Sequence, residues 1–532
     1  MTDLTVEWPR AIKDGTSAIS LIVQSSWRRL IVSWIYVPIG VFLVLLACWG
    51  IDSLIRLSGK TTFPASVACM LLLYFGLVAF EACFGDRRTR KLLNIVDVPA
   101  GFALRYINVF FTPSFILLPL STPIGGIEIG KIIAVFSIGF LLATISTSYL
   151  IRTLQILFKP TKRSAEHDQG EPLQDLIPLT NTPQTSLEPS LAETAQDSLL
   201  QSPLPAAETT RIRGPGPEAS FSQTTPITSL QQQTVLLSRP QAWAAYLSLH
   251  LDIVTYTLIL VVGVPVAFII GYALPLHVAI NVLSFFAARS LSPKITKILH
   301  PVLGCSLLTL LSFYTVSLIL RQSLFDTLQA YSTGTRYLSL FRGQTKSLPL
   351  PGAGDIFASV LDVSIVALAL PMYTHRDELR RHFPSIVIPG IVLAVGSVFT
   401  YPAVCHAIGI EARRSLSFTA RSLTLALATP SIRNLDGDMN LVAVLCITSG
   451  ILGVLIGGPI LKFLRVPEGD YVTRGVTLGM NSTAITTAHL LVTDPRAAAL
   501  SSLAMVVFGT GVVALTAVPP VVNKVREIVG GL

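Results

Sequence analysis

The sequence predicts an all-α polytopic membrane protein of about 12 transmembrane segments, some broken or re-entrant, in two bundles joined by a disordered linker. Three observations predict it. The 532-residue chain is 51% hydrophobic and only 13% charged, where a soluble domain is about a quarter charged. Apolar runs near or above the ~20-residue spanning length recur from end to end. The period-2 alternation of a membrane β-barrel is absent.

Charge is distributed as loops beside spans require. The stretch 161–240 holds five basic and nine acidic residues, so the formal +9 of the whole chain becomes +13 outside that stretch. The excess sits largely in short loops, where it sets topology and meets lipid headgroups; nucleic acid is not an expected partner. The six cysteines (Cys48, Cys69, Cys83, Cys305, Cys405 and Cys446) lie in or beside apolar runs without CxxC spacing. They read as small buried hydrophobes. Trp8-Pro9-Arg10 and Asp14-Gly15 precede a first apolar run too long for a signal-peptide core, so no signal peptide is expected. Asp3, Glu7 and Asp14 argue against a transit peptide.

Residues 1–30 form a basic N-terminal segment. Spans follow at about 31–50, 62–83, 95–120 and 130–151, the third interrupted by Pro99, Gly101, Arg105, Pro113 and Pro119. Together, 31–157 reads as a four-helix membrane region. Basic residues gather before the first span (Arg10, Lys13, Arg28, Arg29), after the second (Arg87, Arg88, Arg90, Lys91) and after the fourth (Arg152, Lys159, Lys162, Arg163). The positive-inside rule therefore places the N-terminus and the following linker in the cytosol. The linker, 158–242, has eleven prolines from Pro160 to Pro240 amid Ser, Thr, Gln and Glu, and cannot bury enough apolar surface to fold alone. From 243 to 532 the membrane resumes as a transport domain. Its spans are expected near 250–273, 275–289, 300–320, 355–373, 385–408, 440–464 and 497–520.

Two shorter segments, 416–430 and 475–490, are broken by Pro430, Gly475 and Gly479 and unusually polar. Polar groups at membrane depth need partners or a cavity, and paired interrupted segments point to a transporter's binding site. Arg421 could clamp a carboxylate with two parallel hydrogen bonds, or could simply snorkel to the interface. Ser422, Thr424, Thr429, Asn481, Ser482, Thr483 and Thr486 could donate to substrate oxygens; bonding their own helix is the alternative for each. Asp362, inside the 355–373 span, is the candidate coupling carboxylate, unless it lies nearer the interface. The Gly450, Gly453, Gly457 spacing is a helix-packing face. No HExxH, GxSxG or P-loop is present, so an enzyme is not expected, nor a cofactor or a metal site.

The run from Arg421 to Met505 resembles the LrgB family of membrane proteins. The carrying residues are Arg421-Ser422, Gly450, Gly453, Gly457, Gly458-Pro459, Lys462, Leu464-Arg465, Arg474-Gly475, Gly479, Ser482 to Ala488, and Ser502 to Met505. It departs from that pattern at Thr483, where the family has His, at Thr486, where it has Gly, and at Leu425-Ala426. Residues 60–155 resemble the LrgA, holin-like family through Phe63-Pro64-Ala65-Ser66, Leu104-Arg105-Tyr106 and Phe110 to Pro113. A fused LrgA-like and LrgB-like chain looks like the plastid glycolate/glycerate translocator architecture, and the Ser/Thr/Pro-rich insertion points to a eukaryotic, fungal-type member. The resemblance implies a secondary transporter of small carboxylates such as glycolate, glycerate or pyruvate, with proton or cation coupling compatible. The alternative it implies is a holin-like pore or a regulator of murein hydrolysis and lysis. Membrane lipids are expected partners, and homo-oligomerisation is compatible with such a chain.

Overall fold

The computed structural model describes residues 30–57, 63–120, 124–158, 239–292, 299–343 and 348–531, with isolated positions among 16–27 and at Ile295. The expected linker, apart from its two ends, and most of the basic segment 1–30 lie outside the described residues. The larger of two compact units, Trp27–Leu179 with His250–Leu532, holds the membrane helices; of the smaller, Met1–Ser26 with Thr180–Leu249, one long helix is described, Arg239–Leu249.

Among the described residues every regular element is helical. The larger unit runs α1 (Val37–Leu57), α2 (Ala65–Phe84), α3 (Asp86–Arg105), α4 (Ile107–Phe110), α5 (Thr112–Ile116) and α6 (Gly126–Leu157). Then come α7 (Leu251–Ile269), α8 (Leu274–Arg289), α9 (Pro301–Leu320), α10 (Leu324–Tyr331), α11 (Tyr337–Phe341) and α12 (Ala353–Ala367). Next are α13 (Ala369–Thr374), α14 (Arg376–Arg381), α15 (Phe383–Ala407), α16 (Ala412–Ser417) and α17 (Leu425–Leu435). The chain closes with α18 (Met439–Phe463), α19 (Tyr471–Thr493), α20 (Pro495–Thr516) and α21 (Pro519–Ile528). Nine helices among the described residues are long and apolar enough to cross a bilayer, and a tenth span arises if α3 and Ile107–Leu120, bent by 56°, act as one. The bend falls at Tyr106, within the proline-interrupted 95–120 run. The other expected segments are the short α8 and the two polar, interrupted stretches.

Helix starts are set locally by side chains that accept orphan N–H groups. Asp438 takes the N–H of Asn440 and Leu441 at 2.9 and 3.1 Å, Asp470 that of Thr473 at 2.9 Å, and Asp494 that of Ala497 at 3.1 Å. The strongest such contact is at α12. The buried Asp355 carboxylate accepts from the backbone N–H of Gly352 (3.0 Å), Thr333 (2.8 Å) and Gly334 (3.1 Å). It also accepts from the Ser332 and Thr333 hydroxyls at 3.0 and 2.9 Å. Removing it strands five donors at once, most of them half-buried, so Asp355→Ala is expected to cost about 2–3 kcal/mol, read as a lowered thermal midpoint in detergent.

α19 is the axis of the second half. It packs between α18 and α20 so closely that several glycines at these contacts leave no room for a Cβ. A Cβ on Gly475 or Gly479 would overlap the Ala497 or Ser501 carbonyl of α20. On α18, Gly450, Gly453 and Gly457 face Ile485, Ser482 and Leu478, as the glycine spacing predicts.

Helices of the first half pack directly on the second. Glu81 on α2 pairs with Arg376 at 2.6 Å and accepts from the Tyr373 hydroxyl at 2.9 Å. Glu128 at the start of α6 pairs with Arg414, and Gln155 near its end donates to Asp470 at 3.2 Å. Midway along α6, the Gly139 carbonyl accepts from the Tyr401 hydroxyl at 3.0 Å, and the Thr147 hydroxyl from Asn481 at 3.1 Å.

Candidate functional site

Both interrupted segments are interrupted in the structure, but not where the breakers stand. Pro430 lies inside α17, and the interruption precedes it, between the turn at Phe418–Ala420 and Leu425. Gly475 and Gly479 lie in regular helix, and α19 breaks instead at Ser482 (φ −137°, ψ 17°) and Thr483 (φ 61°, ψ −176°). The reason is tertiary. Backbone carbonyls near the break find side-chain partners: Ser449 donates to the Asn481 carbonyl at 2.6 Å, and Thr486 donates to that of Gly450 at 2.8 Å. The glycines, in turn, are used for close approach to α20.

Thr483 occupies a region of backbone space that is essentially reserved for glycine and costs about 1–3 kcal/mol. Thr483→Gly is therefore expected to leave the fold intact and raise its stability by about 1 kcal/mol, after the entropy cost of glycine is offset. Chemical denaturation in detergent reads this directly.

The two interruptions lie together. Thr424, the residue before α17, and Thr483, at the break in α19, line one small space of about 10 Å³ with Ser114, Leu425, Cys446 and Ile485. Ten cubic ångströms is about one water. Here two helix N-termini meet, that of α17 and that of the second half of α19. The Thr424 side chain makes no cap bond to the first of them. Among the described residues the buried hydroxyls of Thr419, Thr424 and Ser482 have no hydrogen-bond partner.

A second, larger cavity of about 890 Å³, open to one side, lies between α6 and α15 and is lined also by Arg421, Ser422 and Asn481. Arg421 is 1% exposed. Its Nη2 reaches the Gly139 carbonyl and Asn481 Oδ1 only at 3.5 Å each, and its guanidinium lies 4.7 Å from the centre of the Tyr401 ring. Among the described residues Nε and Nη1 have no partner, which leaves three of the five guanidinium donors unspent there. Among the residues lining the cavity none is acidic. The arginine is therefore buried, not snorkelling.

Of the other sequence candidates, Ser422, Thr424, Asn481, Ser482, Thr483 and Thr486 are buried around the two interruptions. Thr429 is not part of the group: it is half-buried within α17 and donates to the Leu425 carbonyl at 2.8 Å. Thr486 faces α18, with its hydroxyl spent on Gly450. Asp362 stands elsewhere, on α12 among Ser66, Tyr337 and Arg336, at the contact with α1, α2 and α11. Sequence reasoning placed a span at about 130–151 but missed that this helix, α6, supplies one wall of the cavity, the Gly139 carbonyl and Thr147. Its one anomaly in the sequence is length, 32 helical residues where about 20 suffice to span.

Residues 281–523 match the LrgB-like family. Among curated proteins, the chain is 26% identical over 259 residues to the plastidal glycolate/glycerate translocator 1, chloroplastic, of Arabidopsis thaliana, covering 48% of each chain. The chain thus spans about half the length of that relative. It is 27% identical over 169 residues to the holin-like protein CidB of Staphylococcus aureus, covering 31% of this chain and 71% of that one. It is 25% identical over 178 residues to the antiholin-like protein LrgB of Bacillus subtilis, covering 34% and 74%. These relatives are named as a translocator and as holin-like or antiholin-like proteins, not as enzymes. No solved structure matches. The protein is a multi-pass integral membrane protein, and its residues 281–523, which supply Arg421, both interrupted segments and the α15 wall of the cavity, match the LrgB-like family.

Proposed function

We propose that this protein is a secondary transporter of small organic anions, which it holds by their carboxylate at Arg421. The observation that supports this most is the buried guanidinium without an acidic partner. A charge taken out of water costs several kcal/mol unless it is paired, so its counter-ion is best supplied by the cargo. Ser422 and Asn481 flank it, and the paired helix N-termini behind it carry positive partial charge. Arg421, Ser422 and Asn481 line the cavity of about 890 Å³, and Leu423, Thr424 and Thr483 the space of about 10 Å³; in this reading they would form the barrier that alternating access to a central site requires. Widening of the small space around Thr424 and Thr483 would then be the step that passes the anion on.

The name of the plant relative makes glycolate and glycerate the first candidates, with pyruvate beside them. Asp362, set apart from the site, would couple protons through movement of α12; retention of gradient dependence in Asp362→Asn removes it from that role. The names of the bacterial relatives keep a holin-like pore as the second reading. Labelled glycolate, glycerate and pyruvate are followed into proteoliposomes with and without an inward proton gradient. Saturable uptake that Arg421→Ala abolishes supports the transporter, whereas unsaturable leakage of unrelated solutes supports the pore.

A further inference from the structure

A guanidinium draws any carboxylate, so discrimination among carboxylates falls to the neighbours of Arg421. Asn481 is buried beside it and lines the same cavity. An amide can turn either its oxygen or its NH2 towards a ligand, and the two choices select opposite chemistry. Here the surroundings decide. Asn481 Nδ2 lies 3.0 Å from the Thr477 carbonyl, which can only accept. It lies 3.1 Å from the Thr147 hydroxyl of α6. That hydroxyl spends its own hydrogen on the Ala143 carbonyl at 2.6 Å, so towards Asn481 it too can only accept. Both amide N–H groups are thereby used, and Oδ1 is turned towards Arg421, 3.5 Å from Nη2. The reversed amide would set NH2 against a guanidinium and its oxygen against two acceptors. At 3.5 Å the arginine contact is at the outer limit of a hydrogen bond, so Oδ1 keeps a lone pair for a ligand. Beside the charge that takes the carboxylate, Asn481 therefore presents an acceptor, not the donor that its residue type suggests.

Resting on the transporter reading, we propose that Asn481 is the specificity-determining residue that favours a 2-hydroxy acid over its 2-oxo counterpart, and that Thr147 of α6 positions it. With the carboxylate at Arg421, a hydroxyl on the adjacent carbon donates to Oδ1. A keto oxygen in that place meets the amide oxygen as acceptor against acceptor and leaves Oδ1 unpaired. Such a mismatch at a buried polar group weakens binding about tenfold or more. Ser422, whose hydroxyl can donate or accept, does not separate the two. Thr147 does not line the cavity and acts through the amide.

The test is saturable uptake of labelled lactate, each enantiomer in turn, and of pyruvate by the full chain in proteoliposomes. Lactate and pyruvate share a carbon skeleton and differ at a single oxygen. Expected in the wild type is a KM for the better enantiomer about tenfold or more below that for pyruvate. In Asn481→Leu the two KM values come within about twofold of each other. Thr147→Val removes an acceptor that orients the amide and lowers the KM ratio about threefold or more. Thr147→Ser keeps that acceptor and preserves the ratio. A merely structural threonine would move both KM values together in Thr147→Val and leave their ratio alone, which overturns its positioning role. Equal KM values in the wild type, with uptake still lost in Arg421→Ala, overturn the specificity and leave the carboxylate transporter standing. A ratio that survives in Asn481→Leu means that the hydroxyl is read elsewhere and also overturns it. Absence of saturable uptake of lactate, pyruvate, glycolate and glycerate alike, in folded wild-type protein, removes the transporter reading itself. The wild-type ratio and the Thr147 pair decide the matter even if Asn481→Leu does not fold.

Discussion

Arg421→Met is expected to abolish saturable anion transport, by at least a hundredfold, while raising the stability of the folded protein. The two effects have one cause. Arg421 is buried with most of its donors unspent and no carboxylate beside it, so the fold bears the desolvation of a charge and receives little in return. An unbranched thioether of similar length fills the space without that cost. Replacement of buried ionic groups by apolar ones commonly gains about 1–4 kcal/mol, which thermal unfolding in detergent would register as a higher midpoint. A purely structural arginine behaves oppositely, its loss lowering stability and transport together. Arg421→Lys sharpens the test. It keeps the charge but loses the planar fork and the stacking on Tyr401, so transport should fall about tenfold to a hundredfold through affinity.

The second large effect is expected at Gly453. A Cβ there would overlap the Ser482 Cβ and the Thr486 hydroxyl, at the break of α19. Neither neighbour is the far end of a flexible side chain, so relief requires movement of α18 away from α19. Gly453→Ala should cost about 3 kcal/mol, at the upper end for overpacking, and should disturb the site even in molecules that remain folded. Gly458→Ala is the matched control. It lies on the same helix, and a Cβ there meets nothing within 4 Å; it should be neutral or stabilising by about 0.5–1 kcal/mol. Equal behaviour of the two variants would mean that α18 does not press on the break.

Hydropathy made the architecture legible because a span must satisfy its backbone within itself and face lipid with apolar side chains. The nine long helices fall where the apolar runs lie. The site was legible as a neighbourhood and not as a geometry. Polar residues in the stretches 416–430 and 475–490 marked the interruptions, since hydroxyls at membrane depth need an account. The exact breaks escaped because Pro430 is tolerated within α17 and because Gly475 and Gly479 serve packing on α20. The break at Ser482 and Thr483 depends on Ser449 and Gly450, over 30 residues earlier, which no local rule joins to it. Asp362 was singled out for coupling by its rarity in a span; the structure sets it apart from the interruptions, with Ser66 and Tyr337 as partners. Gly139 and Thr147 gave no signal, being a glycine and a threonine in an ordinary apolar helix.

α6 gives the cavity one of its two walls and comes from the other half of the chain. A binding site divided in this way exists only when its two parts are together. Were they separate polypeptides, the fraction of competent sites would follow their concentrations and their encounter in the bilayer. Held on one chain, each part meets the other at an effective concentration set by the connecting chain and not by how much protein is made. The number of working sites then tracks the number of chains made, and a surplus of either part cannot arise.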